Sequence, residues 1–269
     1  LIRGYIELKK PGTGADAPKL KGKHNKDQWE RLKNLPNLIY TDGREWALYL
    51  NGERSGSIVR LPGDPTEEGQ AAVDEETAGR LAHLLGEFLD WRPHVPHRPR
   101  ELAAFLAPFT RFLRSEISAG LETPYSNVSL LATEWRQYFF PDADNAQFAD
   151  AYAQTITYAM LLARLDGAES LLPDKAAEVL NDGNGLLGQT LALLGRKEAR
   201  DELRVGFDIL RRVLESLDPY EFQKTKPDLW LYFYEDFLAA YDRKLRANYG
   251  VYYTPREVVE FQVRFSSEL

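Results

Sequence analysis

The fold of this 269-residue chain is decided near its start by Gly4-Tyr5-Ile6-Glu7-Leu8-Lys9-Lys10-Pro11-Gly12, which predicts a β-strand over residues 2–9. Successive side chains of a strand point to opposite faces, so Glu7 and Lys9 share one face, about 7 Å apart, and Ile6 and Leu8 share the other. We expect the apolar face to pack in the core. The exposed face then carries a carboxylate and an ammonium group that can hold a metal ion.

The pair formed by Glu7 and Lys9 has a chemical use. A carboxylate can supply oxygen ligands to Mg²⁺, and a neighbouring ammonium can stabilise an attacking hydroxide or the charge that grows on a phosphate. Phosphodiester hydrolysis requires both functions. The same pattern also occurs on solvated strand faces, where it forms only a weak ion pair, so the tripeptide alone leaves both interpretations open.

Hydrophobic patterns and turn residues predict an α/β region in the first sixty residues. Asp42-Gly43 and Asn51-Gly52 are strong hairpin signals between β-prone runs, so residues 37–61 are expected to form an antiparallel meander joined to the strand of Glu7. The predicted elements are a strand over 2–9, a helix near 25–34, and strands near 37–41, 45–50 and 56–61.

After residue 62 the hydrophobic period becomes that of helices. The Pro-rich segment from Arg92 to Pro99 is the clearest linker, and it predicts a domain boundary between an α/β domain at 1–92 and an all-α helical connector at 93–249. A further domain is expected to begin at 250–269. The predicted helices lie near 75–91, 99–119, 126–140, 145–165, 173–181, 196–217 and 228–248.

One glycine-rich segment in the helical part, Gly183-Asn184-Gly185-Leu186-Leu187-Gly188, matches the G-x-G-x-x-G pattern of dinucleotide-binding proteins. That fingerprint requires a strand directly before it, and residues 173–181 are predicted to be helical. We therefore interpret this segment as a loop between helices.

The charge of the chain is unevenly distributed. The formal net charge is −7, which argues against a general affinity for phosphates, but residues 1–33 contain nine Lys or Arg against four acids. A local positive surface is what association with DNA requires. A solvated lysine-rich loop would have the same composition, so this interpretation also stays open.

The composition disfavours proteins with disulfides or thiolate metal sites, and it disfavours membrane-spanning proteins. The chain contains no cysteine, which excludes disulfides and thiolate metal sites and predicts a reducing, cytoplasmic location. No apolar run approaches the roughly 18 residues of a membrane span.

The region from Gly4 to Trp46 resembles the nuclease end of single-chain restriction-modification enzymes of the Type IIG and Type ISP group. The resemblance implies a PD-(D/E)xK restriction-endonuclease-like α/β fold with a mixed sheet, in which Glu7 ligates Mg²⁺ and Lys9 stabilises the nucleophile or the transition state. The segments that carry it are Gly4-Tyr5-Ile6-Glu7-Leu8-Lys9-Lys10-Pro11-Gly12, Gln28-Trp29 and Pro36-Asn37-Leu38-Ile39-Tyr40-Thr41-Asp42-Gly43-Arg44-Glu45-Trp46.

The resemblance also makes Gln28 a candidate catalytic residue, because some branches of this nuclease superfamily use a Gln-x-x-x-Tyr helix after the Glu-x-Lys strand. Leu32 stands where the Tyr would be, so a surface glutamine is the alternative. The family further implies an Asp on a strand before Glu7. The chain begins at Leu1 and its one Met is Met160, so we expect it to be a fragment that lacks this residue.

The far end of the chain resembles the start of an N6-adenine DNA methyltransferase. This implies that Tyr253 and Thr254 line an S-adenosylmethionine pocket in the full-length protein. The sequence from Thr254 to Glu257 is also a capping box, which predicts the start of a helix. The segments that carry the resemblance are Tyr234-Glu235-Asp236-Phe237-Leu238-Ala239-Ala240-Tyr241-Asp242 and Gly250-Val251-Tyr252-Tyr253-Thr254-Pro255-Arg256-Glu257-Val258-Val259.

The two ends together predict the Mg²⁺-dependent endonuclease portion and helical coupler of a bifunctional enzyme that cleaves double-stranded DNA and methylates adenine. A protein partner or dimerisation during cleavage is compatible with this prediction. The alternative is a degenerate nuclease fold that only binds DNA or a partner and positions a methyltransferase. A third candidate, an RNA-directed or repair nuclease of the same superfamily, is disfavoured by the methyltransferase-like end.

Overall fold

The structure is a computed structural model, and the part of the chain that it describes has six interruptions. The chain divides into two compact units, Leu1–Val95 with Pro108–Pro219 and Pro96–Ala107 with Tyr220–Leu269. The domain boundary expected after residue 92 stays a prediction. The described residues are 3–92, 96–138, 140–183, 185–223, 232–249, 254 and 256–267.

A four-stranded mixed sheet forms the centre of the α/β part. Its strands run in the order β1-β2-β3-β4, with β1 parallel to β2 and the other neighbours antiparallel. The predicted meander is therefore confirmed. The strands are β1 (Tyr5–Leu8), β2 (Asn37–Thr41), β3 (Glu45–Leu50) and β4 (Glu53–Arg60).

The second hairpin closes as its sequence predicts. Asn51 and Gly52 both have positive φ, 51° and 82°, which is the conformation that an Asn-Gly hairpin turn requires. A Cβ atom on Gly52 would lie 2.8 Å from the carbonyl oxygen of Lys33. A side chain at this position would therefore both strain the turn and push it away from the helix end.

Helices cover both faces of the sheet. On one face, helix α1 (Lys23–Leu32) packs Trp29 against Tyr40 and Tyr49, with ring centroids 5.9 and 4.8 Å apart. On the other face, helix α3 (Glu75–Asp90), which follows a short helix α2 (Pro65–Glu68), covers a hydrophobic core. That core consists of Ile39, Leu48, Val59, Leu84 and Phe88.

The orientation of β1 corrects one expectation from the sequence. Glu7 and Lys9 do share a face, but Ile6 and Leu8 on the opposite face are 56% and 70% exposed, so the prediction that they pack in the core was wrong. The predicted alternation of side chains between the two faces of β1 was correct. Which of the two faces is buried depends on where the helices lie. Helix α1 covers the Glu7 and Lys9 face, and the core under α3 is built on β2, β3 and β4.

The remainder of the described chain is helical. These helices are α4 (Pro99–Leu121), α5 (Asn127–Tyr138), α6 (Asn145–Leu165), α7 (Pro173–Gly183), α8 (Gly185–Leu194), α9 (Lys197–Glu202), α10 (Arg204–Glu215), α11 (Pro219–Gln223), α12 (Phe233–Tyr241), α13 (Arg243–Tyr249) and α14 (Arg256–Ser267). None of the described helices is both long enough and apolar enough to cross a membrane.

Three helical expectations need correction. The predicted 196–217 helix is two helices that meet at Leu203, and the described part of the predicted 228–248 helix breaks at Asp242. The Asp242 carboxylate accepts bonds from the N–H groups of Lys244 and Leu245 at 2.9 and 3.3 Å, so it caps a new helix.

The segment interpreted as a glycine-rich loop is the third correction, since helix α8 begins at Gly185. A Cβ atom on Gly188 would lie 2.9 Å from the carbonyl oxygen of Ala177 on α7. The glycine therefore permits close packing of two helices. Helix α7 precedes this segment, as predicted, so the structural context of a dinucleotide fingerprint is missing.

Candidate functional site

Helix α1 lies over β1 and brings Gln28 between Glu7 and Lys9. The side-chain N–H of Gln28 donates to Glu7 Oε1 at 2.6 Å, and Gln28 Oε1 accepts a hydrogen bond from Lys9 Nζ. Lys9 Nζ lies 3.6 Å from Glu7 Oε1. The three residues predicted as catalytic from the sequence are thus joined in one hydrogen-bonded group.

A fourth residue, Asn25, completes this group, which we call the Glu7 cluster (Glu7, Lys9, Asn25 and Gln28). Asn25 Oδ1 accepts a hydrogen bond from Lys9 Nζ at 3.0 Å. Asn25 was not predicted from the sequence. The available signal was its position three residues before Gln28, which places both amides on the same face of a helix.

The Glu7 cluster is partly shielded from solvent. The Lys9 side chain is 8% exposed and that of Glu7 is 24% exposed. Lys9 Nζ also lies 5.5 Å from the centroid of the Tyr40 ring, within the range of a cation–π contact. The ammonium is therefore held among two amide oxygens, a carboxylate and an aromatic face rather than extended into water.

Tyr40 lies on β2 next to Glu7 and contacts the cluster through its ring. Burial raises the pKa of its hydroxyl above the usual range, and the nearby charge of Glu7 adds to this effect. The hydroxyl is buried and has no hydrogen-bond partner among the described residues. Tyr40 is therefore neutral, and it contributes its ring rather than an ionisable group.

The Glu7 carboxylate meets part of what a Mg²⁺ site requires. Gln28 donates to Oε1, which also lies 3.6 Å from Lys9 Nζ, and Oε2 accepts no hydrogen bond in the described part of the chain. Mg²⁺ is commonly bound through one or two carboxylates together with water and substrate phosphates. Glu7 therefore fits as one ligand. No group of three His, Cys, Asp or Glu side chains that could hold a metal ion occurs in the described residues.

Asp42 fixes the loop that follows β1. Its carboxylate accepts backbone N–H bonds from Gly14 at 2.7 Å, Arg44 at 3.0 Å and Glu45 at 2.8 Å. Burial opposes ionisation, but these bonds together with one from Gly12 lower the pKa of Asp42 below its usual value. An ionised Asp42 thus ties the segment after Lys9 to the β2–β3 hairpin.

The surface beside the cluster carries charges of both signs. A groove of about 590 Å³ lies along α1 and α4, with Gln28 in its wall. The charged residues that line it include Arg31, Lys33, Arg111 and Arg114 together with Asp27, Glu30 and Glu122. The excess of basic residues at the start of the chain is therefore only partly offset in this groove.

The predicted cofactor residues lie at the other end of the chain. Tyr253 lies outside the described residues. Thr254 is exposed, and its carbonyl oxygen accepts a bond from Tyr232 Oη at 3.5 Å. Helix α14 begins at Arg256, as the capping sequence predicts, although the Glu257 side chain lies outside the described part. The S-adenosylmethionine pocket stays a prediction.

Comparisons with known proteins give matches among solved structures. No family model and no curated protein matches the chain. The chain is similar to part of a protein in a cryoEM structure of a DrdV-DNA complex, with a TM-score of 0.42 and 19% sequence identity. The similarity covers 97% of this chain and 24% of that chain, so this chain spans about a quarter of the other's length.

Proposed function

We propose that this chain is the Mg²⁺-dependent endonuclease portion and helical coupler of a bifunctional restriction-modification enzyme that acts on double-stranded DNA and also methylates adenine N6. The observation that carries the proposal is the Glu7 cluster, in which an acid and an amine lie 3.6 Å apart under one helix. The resemblance of residues 4–46 to PD-(D/E)xK nucleases supplies the reaction, which is hydrolysis of a phosphodiester.

Each residue of the cluster has a distinct role in this proposal. Glu7 would supply a carboxylate oxygen to the metal ion, and Gln28 holds the carboxylate through Oε1. Lys9 places its positive charge beside the scissile phosphate and stabilises the negative charge that develops there. A bound Mg²⁺ ion supplies Lewis-acid activation of the phosphate and a more acidic water.

The far end of the chain supports the second activity in the same proposal. Residues 234–242 and 250–259 resemble the start of an adenine methyltransferase, and Tyr253 and Thr254 would contact S-adenosylmethionine in the full-length protein. The helices between the two ends would then connect the nuclease and methyltransferase activities on one DNA-bound polypeptide.

One observation favours a second candidate function, a non-catalytic scaffold that positions a methyltransferase. Glu7 is the single carboxylate of the cluster, and it is already in contact with both Gln28 and Lys9. A degenerate nuclease could retain such a group as a structural network. The two candidates differ in whether loss of Glu7 or Lys9 changes cleavage or only stability.

Cleavage of plasmid DNA by the full-length protein tests the proposal. We expect cleavage to require Mg²⁺, and Glu7→Gln and Lys9→Ala each to lower the rate by roughly 10³-fold with DNA affinity retained. Lys10→Ala is the matched control, because Lys10 is the neighbouring lysine and is exposed. Cleavage at the normal rate by either variant would contradict the assignment of the Glu7 cluster as the nuclease site, and a wild type that does not cleave with Mg²⁺ would favour the scaffold.

A further inference from the structure

We propose that Asn25 is a positioning residue for Lys9, which it holds beside Glu7 without letting the ammonium close onto the carboxylate. This inference rests on the proposed role of Lys9 in phosphodiester hydrolysis. It extends that role to a residue that does not itself contact the substrate.

The geometry around Lys9 accounts for the donors of its ammonium group. A lysine ammonium has three N–H donors. Two of them are directed to neutral oxygens, Asn25 Oδ1 at 3.0 Å and Gln28 Oε1. The distance to Glu7 Oε1 is 3.6 Å, which is an ion-pair distance longer than a normal hydrogen bond. Two of the ammonium's N–H donors are therefore hydrogen-bonded to amide oxygens, and the ammonium is not hydrogen-bonded to the carboxylate.

The orientation of Asn25 is itself determined by its surroundings. Its Nδ2 donates to the backbone carbonyl of Lys21 at 2.8 Å, immediately before α1. Because the amide nitrogen is used by that carbonyl, the amide oxygen must face Lys9. Asn25 thus presents a fixed acceptor rather than a freely rotating polar group.

This arrangement matters because lysine is long and flexible. Without Asn25, the ammonium could rotate toward Glu7 and form a direct ion pair, which would occupy the carboxylate proposed to bind the metal. With Asn25 and Gln28 both bonded, Lys9 stays close enough to Glu7 to share a substrate phosphate. Small displacements of a catalytic group are costly, since a shift of about 1 Å can lower a rate roughly 10²-fold.

Two variants at this position separate the acceptor from the bulk of the side chain. Asn25→Leu has a similar shape but no acceptor, and Asn25→Asp keeps an oxygen that can accept from Lys9 but loses the Nδ2 donor to Lys21. His24→Leu is the matched control, because His24 is the preceding residue of α1, is exposed and makes no hydrogen bond with the cluster in the described part of the chain. Circular dichroism first establishes that all three variants fold.

The direct readout is the ¹H–¹⁵N NMR signal of the Lys9 ammonium in this chain. We expect the signal to be protected from solvent exchange in the wild type, in His24→Leu and in Asn25→Asp, and to lose that protection in Asn25→Leu. An unchanged Lys9 signal in Asn25→Leu would overturn the inference.

The functional readout is single-turnover cleavage by the full-length protein. We expect Asn25→Leu to lower the rate by roughly 10- to 100-fold with unchanged DNA affinity, and Asn25→Asp to recover most of it. If the wild type cleaves and Asn25→Leu cleaves equally fast, the positioning role fails while the nuclease proposal stands. If the wild type with Mg²⁺ does not cleave at all, both proposals fail.

Discussion

Two glutamates in the unit that contains the sheet, Glu7 and Glu116, lie in opposite surroundings. Glu7 is partly exposed and has the Lys9 ammonium 3.6 Å away. Glu116 lies on α4, and burial raises its pKa to about 7 although the Gly206 N–H, at 2.6 Å, and the charge of Arg31 both act to lower it. The Glu7 carboxylate therefore has a cation as its neighbour, whereas the main influence on the Glu116 carboxyl group is its burial away from water.

The difference shows that residue type does not decide what a carboxyl group can do in this fold. A carboxylate beside a cation and an open edge is suited to act as an anion, for example as a metal ligand. A carboxyl group buried with one backbone donor is suited to act as a neutral or easily neutralised hydrogen-bond acceptor. Asp42 is a third case, since four backbone N–H groups outweigh its burial and lower its pKa.

The largest expected effect on stability comes from Glu116→Gln, which removes the charge and keeps an oxygen that can accept the Gly206 bond. The folded-state pKa of about 7 lies above the ordinary value of 4.5, so stability falls as the pH rises through this interval. We expect the variant to raise the free energy of unfolding above that interval by on the order of 3 kcal/mol.

Urea unfolding across the same pH interval checks this expectation. Glu122→Gln, just after the end of α4, is the control, because that carboxylate is exposed and its ion pair with Lys23 is long, at 4.0 Å. The contrast between Glu7 and Glu116 breaks down if Glu116→Gln keeps the pH slope of the wild type.

Asp42→Asn is expected to have the next largest effect, because the variant loses the charge that strengthens its backbone bonds and presents its amide NH₂ group to one of the backbone N–H donors. The free energy of unfolding at neutral pH should fall by about 2 kcal/mol. Since the folded-state pKa is lowered, the stabilisation exists above the ordinary value of 3.8 and disappears as the pH falls through the folded-state value.

Thermal or urea unfolding at neutral and strongly acid pH measures this effect, with the exposed Asp27→Asn as control. A difference between Asp42→Asn and the wild type that persists in strong acid would mean that the backbone bonds do not depend on ionisation.

Lys9→Met is expected to have the smallest effect on stability. The variant keeps the length of the side chain but leaves the Asn25 and Gln28 oxygens without their donor, at a cost of about 1 kcal/mol. Lys10→Met, measured by the same urea unfolding, is the control for loss of a positive charge. A decrease of several kcal/mol in the free energy of unfolding would indicate that the Glu7 cluster mainly stabilises the fold. It would weaken the proposal that the cluster is catalytic.

Local features of the fold were predictable because few residues control them. The strands over 37–41 and 45–50 have the predicted bounds, and the turn at Asn51-Gly52 has the positive φ angles that its sequence favours. The shared face of Glu7 and Lys9 follows from the two-residue period of a strand.

The features that were missed depend on contacts between distant segments. The position of Asn25 three residues before Gln28 placed it on the same helix face, but its contact with Lys9 was not predictable because Lys9 lies on another element. The close contact at Gly188 depends on the path of α7 past α8, and the surroundings of Glu116 depend on the start of α10. No local pattern contains this information.

The sequence by itself determined that an acid and an amine occupy the same side of the first strand, and where the hairpins turn, since backbone alternation and φ preferences are properties of adjacent residues. Only the tertiary structure decided that this side lies beneath α1 and that Ile6 and Leu8 face outward. A face of the sheet becomes buried when a helix packs on it. The packing of α1 depends on side chains such as Trp29, Tyr40 and Tyr49, which lie far from β1 in the chain.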